Sequence, residues 1–133
     1  MVFFTFFGHS MDVQQFNYFC ASLRASMHTV QWRGAHVWKV GGKVFSIGRW
    51  NRSKHSGITF KVSPLSYDIL KNEPGLRPAP YFASRGMKWI QYYGSTDFSL
   101  DDLKLYLQES HFIVAKSLTK KKRDKLGLSG LQK

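Results

Sequence analysis

His28–Trp50, HTVQWRGAHVWKVGGKVFSIGRW, is the stretch that decides the fold. It is rich in Val, Phe and Trp, residues that suit a pleated, half-buried backbone. Gly34 and the Gly41-Gly42 pair interrupt it. The pattern predicts two or three short antiparallel strands, with a tight hairpin at the paired glycines. Trp38, Phe45 and Ile47 read as core residues of that sheet. The segments on either side must then supply its cover.

Upstream, residues 11–27 (MDVQQFNYFCASLRASM) place Val13, Phe16, Cys20, Leu23 and Met27 at helical spacing, with Ser10 or Asp12 available as a cap. The opening MVFFTFFGHS is too short for a secretory apolar region and lacks a basic start. It is expected to be an extension outside the core, an added strand or a frayed tail. Downstream, NRSKHSG forms a basic loop and ITFKV a further strand. Ser63-Pro64 opens a helix, a capping Ser followed by Pro at the first helical position. PLSYDILKNE runs to a stop at Pro74-Gly75. RPAPY reads as a stiff crossover, because Pro78 and Pro80 lack amide donors and hold the chain extended. MKWIQYY is then a strand, with Trp89 and one of Tyr92 and Tyr93 facing the core. Ser99 opens the last main helix, with Asp102 as a weak capping-box partner. The order predicts a two-layer α+β domain, an antiparallel sheet with helices packed on one face. The boundaries are 1–10 for the extension, 11–126 for one domain, and 127–133 for a flexible tail.

At 133 residues, 43% hydrophobic and 16% aromatic, the chain has material for one core. Its 20 Lys and Arg against 8 Asp and Glu give a net charge of +12 and point to a polyanion partner. The surplus is concentrated at the ends of the chain. Residues 1–60 carry seven basic residues and one acid, residues 61–110 six of each, and residues 111–133 seven and one. The single cysteine, Cys20, excludes an internal disulfide framework and a multi-cysteine zinc site. In its apolar surroundings it reads as an inert buried thiol in a reducing, cytoplasmic protein. No apolar run reaches the ~18 residues that span a bilayer.

Signs of catalysis are missing from the sequence. The five histidines (His9, His28, His36, His55, His111) fall at no metal-ligand spacing. Asp101 and Asp102 suit a helix first turn, where the macrodipole favours them. Gly-Gly-Lys at 41–43 lacks the frame of a phosphate loop. No catalytic residue, cofactor or metal is expected, and a pocket gathering Asp68, a histidine and Arg77 would reverse that view. The basic residues are more informative. Arg49, Arg52 and Lys54 cluster around one loop, Lys43 sits at the hairpin, and Arg85 and Lys88 flank the approach to MKWIQYY. Cations on projecting loops can straddle a phosphate backbone, and Trp50 can stack on a single-stranded base. TKKKRDK, 119–125, reads as a solvated helix face or tail that adds non-specific affinity.

WKVGGKVFSIG (38–48), ITFKVSPLSYDILKNEPGLRPAPYF (58–82), KWIQYYG (88–94) and LYLQESHFIVAKSLTKKKR (105–123) together resemble the MmcQ/YjbR family of small bacterial proteins. The resemblance covers about residues 11–126. It implies a compact α+β fold and a DNA-binding role through projecting "double-wing" loops, with no catalytic residues. The matching positions are Lys39, Gly41, Gly42, Lys43, Lys61, Pro64, Arg77, Pro78, Tyr81, Trp89 and Ser110. Most of these read as structural, while Lys61 and Arg77 are candidates for anion contact. The expected function is therefore DNA binding through the phosphate backbone with little sequence preference. Lys43, Arg49, Arg52, Lys54, Lys61, Arg77, Arg85 and Lys88 are the expected contacts, on a monomer without membrane association. The competing expectation is a protein-interaction or small-ligand module, which an aromatic-lined pocket would favour.

Overall fold

The computed structural model describes residues 10–50, 56–94 and 98–131. Residues 1–9 of the expected extension lie outside them. Helix α1 (Val13–Ala21) is followed by strands β1 (Ser26–Gln31), β2 (Ala35–Val40), β3 (Lys43–Arg49) and β4 (Gly57–Lys61). Helix α2 (Pro64–Leu70), the short strand β5 (Leu76–Pro78), a 3-10 turn (Ala83–Arg85) and strand β6 (Trp89–Tyr92) come next. Helices α3 (Leu100–Lys116) and α4 (Lys120–Lys125) close the chain. The strands form one antiparallel sheet in the order β1-β2-β3-β4-β6-β5, and the helices pack against it. No helix among the described residues is long and apolar enough to cross a membrane.

The opening stretch folds as its pattern predicts, with three strands and two turns. Val40 pairs with Lys43 across a two-residue turn. Gly41 and Gly42 both have positive φ (59° and 84°), the backbone that matches the twist of a tight hairpin. The second turn, at 32–34, places two non-glycine residues in the left-handed region, Trp32 (φ 52°) and Arg33 (φ 64°).

Three expectations about elements are revised. The first helix is shorter than 11–27: Ser22 closes it, Ala25 turns the chain with φ 60°, and Ser26 and Met27 already belong to β1. RPAPY is only partly a crossover. Leu76-Arg77-Pro78 pairs with β6 as the edge strand, a position that tolerates proline because one side of the strand needs no donor. The core also continues past α4: Leu128 is 1% exposed within it and Leu131 packs alongside, in the stretch expected to be a loose tail.

Strand alternation divides the side chains between two faces. The helix-covered face carries Trp38, Val40, Phe45, Ile58, Phe60, Ile90 and Tyr92, packed with Phe16, Cys20, Leu103, Leu107 and Val114. Burial pushes the Cys20 thiol far up, which keeps it protonated and inert. The opposite face carries a smaller cluster, Ala35, Val37 and Ile47, with Val44 and Phe82 against it. Trp89 is buried on this second face, stacked on Phe82 at 4.7 Å between ring centroids. Trp50 donates from Nε1 to Met11 O (3.1 Å) and leans on Phe16, while the rest of its ring stays exposed.

Candidate nucleic-acid interface

The sheet has two ends, set by the direction of β3 from Lys43 to Arg49. At ~3.3 Å per residue they are about 20 Å apart. One end gathers cations from almost every element that reaches it. Lys43 follows the glycine turn and is exposed. β4 runs antiparallel to β3 and so finishes at this end with Lys61, which pairs with Trp89. Lys88 precedes Trp89, and its carbonyl accepts from the Val62 amide (3.1 Å).

α3 arrives at the same end and is tied down there. Ser110 Oγ donates to Lys61 O at 2.5 Å, and His111 Nε2 lies 2.7 Å from Arg24 O. Two turns later Lys43 Nζ approaches Ser117 Oγ (3.4 Å). Leu118 then inserts at the hairpin: a Cβ on Gly41 would sit 2.5 Å from its Cδ1. Thr119 caps α4, accepting from Lys122 N. The basic run 119–125 is therefore a folded helix docked beside the β2–β3 hairpin, with its lysines outward. Lys122 Nζ lies 4.0 Å from where a Gly42 Cβ would stand. Arg123 has a different job, donating to Leu118 O (2.6 Å) and Lys116 O (3.1 Å) to close the end of α3. Arg24 donates to Gly127 O (3.2 Å) and joins the turn after α4 to the start of β1.

The acid of α4, Asp124, is held ionised by the Ser129 hydroxyl and by Lys120, which lies 3.0 Å away. It offsets part of one lysine's charge. Glu109 of α3 is buried and turned to the Ser63 amide (3.5 Å). The surroundings carry Lys43, Lys61, Lys88, Lys116, Lys121, Lys122 and Lys125. The far end holds the acids Asp101 and Asp102 in the first turn of α3 and Glu73 after α2, beside the cations Arg33 and Arg49.

The expected contacts separate accordingly. Lys43, Lys61 and Lys88 share the hairpin end. Arg49 lies at the far end of β3, half-buried, donating from Nη1 to Trp32 O at 2.7 Å. Arg77 lies on the helix-free face, where Nε donates to Gln91 Oε1 (2.9 Å) and the guanidinium covers the Tyr93 ring. Arg85 sits on the 80–87 segment against the ring and hydroxyl of Tyr81. Arg52 and Lys54 fall outside the described residues. The lysines of α4 and Lys116 are not among the expected contacts, because the run 119–125 reads as a solvated helix face or tail that adds only non-specific affinity, and nothing local in it predicts that Leu118 anchors it beside a hairpin. Asp68 pairs with Lys71 on α2, across the sheet from Arg77, so these two do not converge. Among the described residues no group of His, Cys, Asp and Glu is placed to hold a metal ion.

No curated protein matches this chain. Among solved structures, the Deinococcus radiodurans protein DR2400, described with the DUF419 domain, superposes with a TM-score of 0.73. It is 21% identical, over 92% of this chain and 93% of that one, and shares the fold. The YjbR family model matches residues 21–113, and with the strands, α2 and most of α3 inside that span, the chain belongs to the YjbR family.

Proposed function

We propose that this protein binds DNA through the phosphate backbone, with the hairpin end of the sheet against the duplex. The observation that carries the reading is the convergence at that end of Lys43, Lys61 and Lys88 with Lys116 and the lysines of α4, while the acids of α3's first turn stand at the other end. The description of the family as DNA-binding points the same way. Each lysine placed on a phosphate releases condensed counterions, so affinity comes from a salt-dependent entropy gain. Lysine is a point charge that fits phosphate without fixing a base-reading geometry. α4 is only six residues long and presents lysines outward, so the contact positions the protein on the backbone and reads little sequence.

The test is fluorescence anisotropy with a duplex of mixed sequence at about 50 and about 200 mM salt, a range over which a protein touching several phosphates drops by orders of magnitude in affinity. Affinity should fall steeply, and replacing Lys43, Lys121 and Lys122 together should flatten the log–log slope by roughly one for each lysine removed. No binding at the lower salt, or binding indifferent to salt, would overturn the reading.

A further inference from the structure

The helix-free face of the sheet contains a second built feature that the DNA reading leaves unused. A cleft of about 460 Å³ opens there, lined by Trp32, Ile47, Arg49, Thr59, Tyr81 and Gln91 among others. Its size falls within the range of small-molecule sites. The floor is one row of the sheet: Ile47 pairs with Thr59, and Thr59 with Gln91. The floor therefore changes from apolar on β3 to hydrogen-bonding on β4 and β6.

The walls are aromatic and held under strain. Trp32 comes from the β1–β2 turn with φ 52°. Tyr81 has φ 75° at the centre of a three-residue turn closed by Phe82 N to Pro80 O (2.9 Å), a γ-turn of the rare, strained hand. Such a backbone costs of order 1–3 kcal/mol and persists where the surroundings over-determine it. The surroundings do so at Tyr81: Ser84 Oγ donates to its carbonyl (2.7 Å), Arg85 grips its hydroxyl (3.2 Å), and Phe82 is stacked on Trp89. The strained turn at Tyr81 is difficult to explain by packing, since its ring remains exposed; Trp32, also exposed, takes its φ from the β1–β2 hairpin turn. Among the described residues, Arg49 is the one charged group of the lining. Its hydrogen bond to Trp32 O fixes the guanidinium at the cleft edge, and planar guanidinium suits a carboxylate or other planar acid.

We propose that this cleft binds a small aromatic ligand carrying one anionic group, with the ring between Trp32 and Tyr81 and the acid on Arg49. Its anion-binding group, Arg49, stands the length of β3 from Lys43, while the floor at Thr59 lies two residues before Lys61 on the same strand. Thr59 and Gln91 form the polar part of the cleft's floor.

The test uses 2-naphthoate and its uncharged counterpart 2-naphthamide, titrated into the wild-type protein and followed by the amide and Trp side-chain signals in two-dimensional NMR. The acid should bind about tenfold more tightly than the amide, as one charge-assisted hydrogen bond implies. The perturbed signals should centre on Trp32, Thr59 and Gln91. Arg49→Met should bring the acid down to the amide's affinity, and Arg49→Lys should restore part of the difference. Tyr81→Ala should weaken both ligands. Equal affinity of acid and amide for the wild-type protein, no perturbation at the cleft, or perturbation confined to Lys43 and α4 would each overturn the proposal. The wild-type comparison decides even if a variant fails to fold. DNA titrations of the same samples report separately on the hairpin end.

Discussion

Ser110 and Gly41 show how single positions carry this fold. Ser110 is fully buried on α3, and its hydroxyl reaches the carbonyl of Lys61, the last residue of β4. Ser110→Ala should lower stability by about 1–2 kcal/mol, because the helix loses a buried bond to the strand end; the shift of the urea midpoint at constant slope measures it. Gly41 has positive φ and no room for a methyl group beside the buried Leu118. Gly41→Ala should cost about 2–4 kcal/mol, combining left-handed strain with displacement of a core side chain. A loss under about 0.5 kcal/mol would mean that Leu118 moves aside freely. Two histidines add a pH dependence. Burial lowers the pKa of His111, partly offset by its bond to Arg24 O; burial and the facing His36 lower that of His28. Below the ordinary imidazole value of about 6.5 the unfolded chain takes up protons that the folded chain resists. Stability should therefore be flat in this respect above that pH and fall as pH drops through it. Thermal midpoints between about pH 7.5 and 5.5 would show the trend, and His111→Gln should flatten it.

At the scale of elements, what was legible in the sequence was local and what was not was tertiary. Ser63-Pro64 and Ser99 announced their helices because a capping hydroxyl acts within three residues, and both accept the expected amide bonds. The glycine pair announced its hairpin for the same reason. The end of α1 was misread because Leu23 and Met27 continue the helical spacing, while the turn at Ala25 depends on β1 finding its partner β2. The edge strand β5 was hidden by Pro78, which suppresses the strand signal although an edge position tolerates it. Of the candidate site, Lys43 and Lys88 were readable from their turns. α4 was not: its lysines read as a solvated tail because its anchor lies outside the run, in Leu118 on one side and Leu128 on the other. Leu128→Ser should therefore loosen α4 more than a tail substitution would. Hydrogen exchange should quicken at Lys122 to Leu126 by at least about tenfold, with β2 and β3 little changed.

The whole molecule has an electrostatic polarity that composition alone conceals. A net charge of +12 spread evenly would give weak attraction to any polyanion from every side. Here the antiparallel sheet sorts the charges, because the hairpin between β2 and β3, the exit of β4, the entry to β6 and the C-terminus of α3 must share one end. The cations of those segments therefore share it too, and α3 carries its first-turn acids to the opposite end. Lysines within a Debye length of about 8–10 Å of one another act on DNA together, so their removal should be felt in the salt slope as well as in affinity. Lys121→Glu with Lys125→Glu places two negative charges on the proposed contact and leaves the Leu118 and Leu128 anchors untouched. Binding at low salt should fall at least about a hundredfold, since two favourable charges become repulsive, and the slope should drop by about two. Arg33→Ser, which removes a cation from the turn at the other end of β2, changes the net charge and should leave the slope unaltered within error. If the two variants weakened binding in proportion to net charge alone, the polarity would be irrelevant and the attraction would belong to the molecule's total charge; a slope that responds only to α4 assigns the interface to the hairpin end.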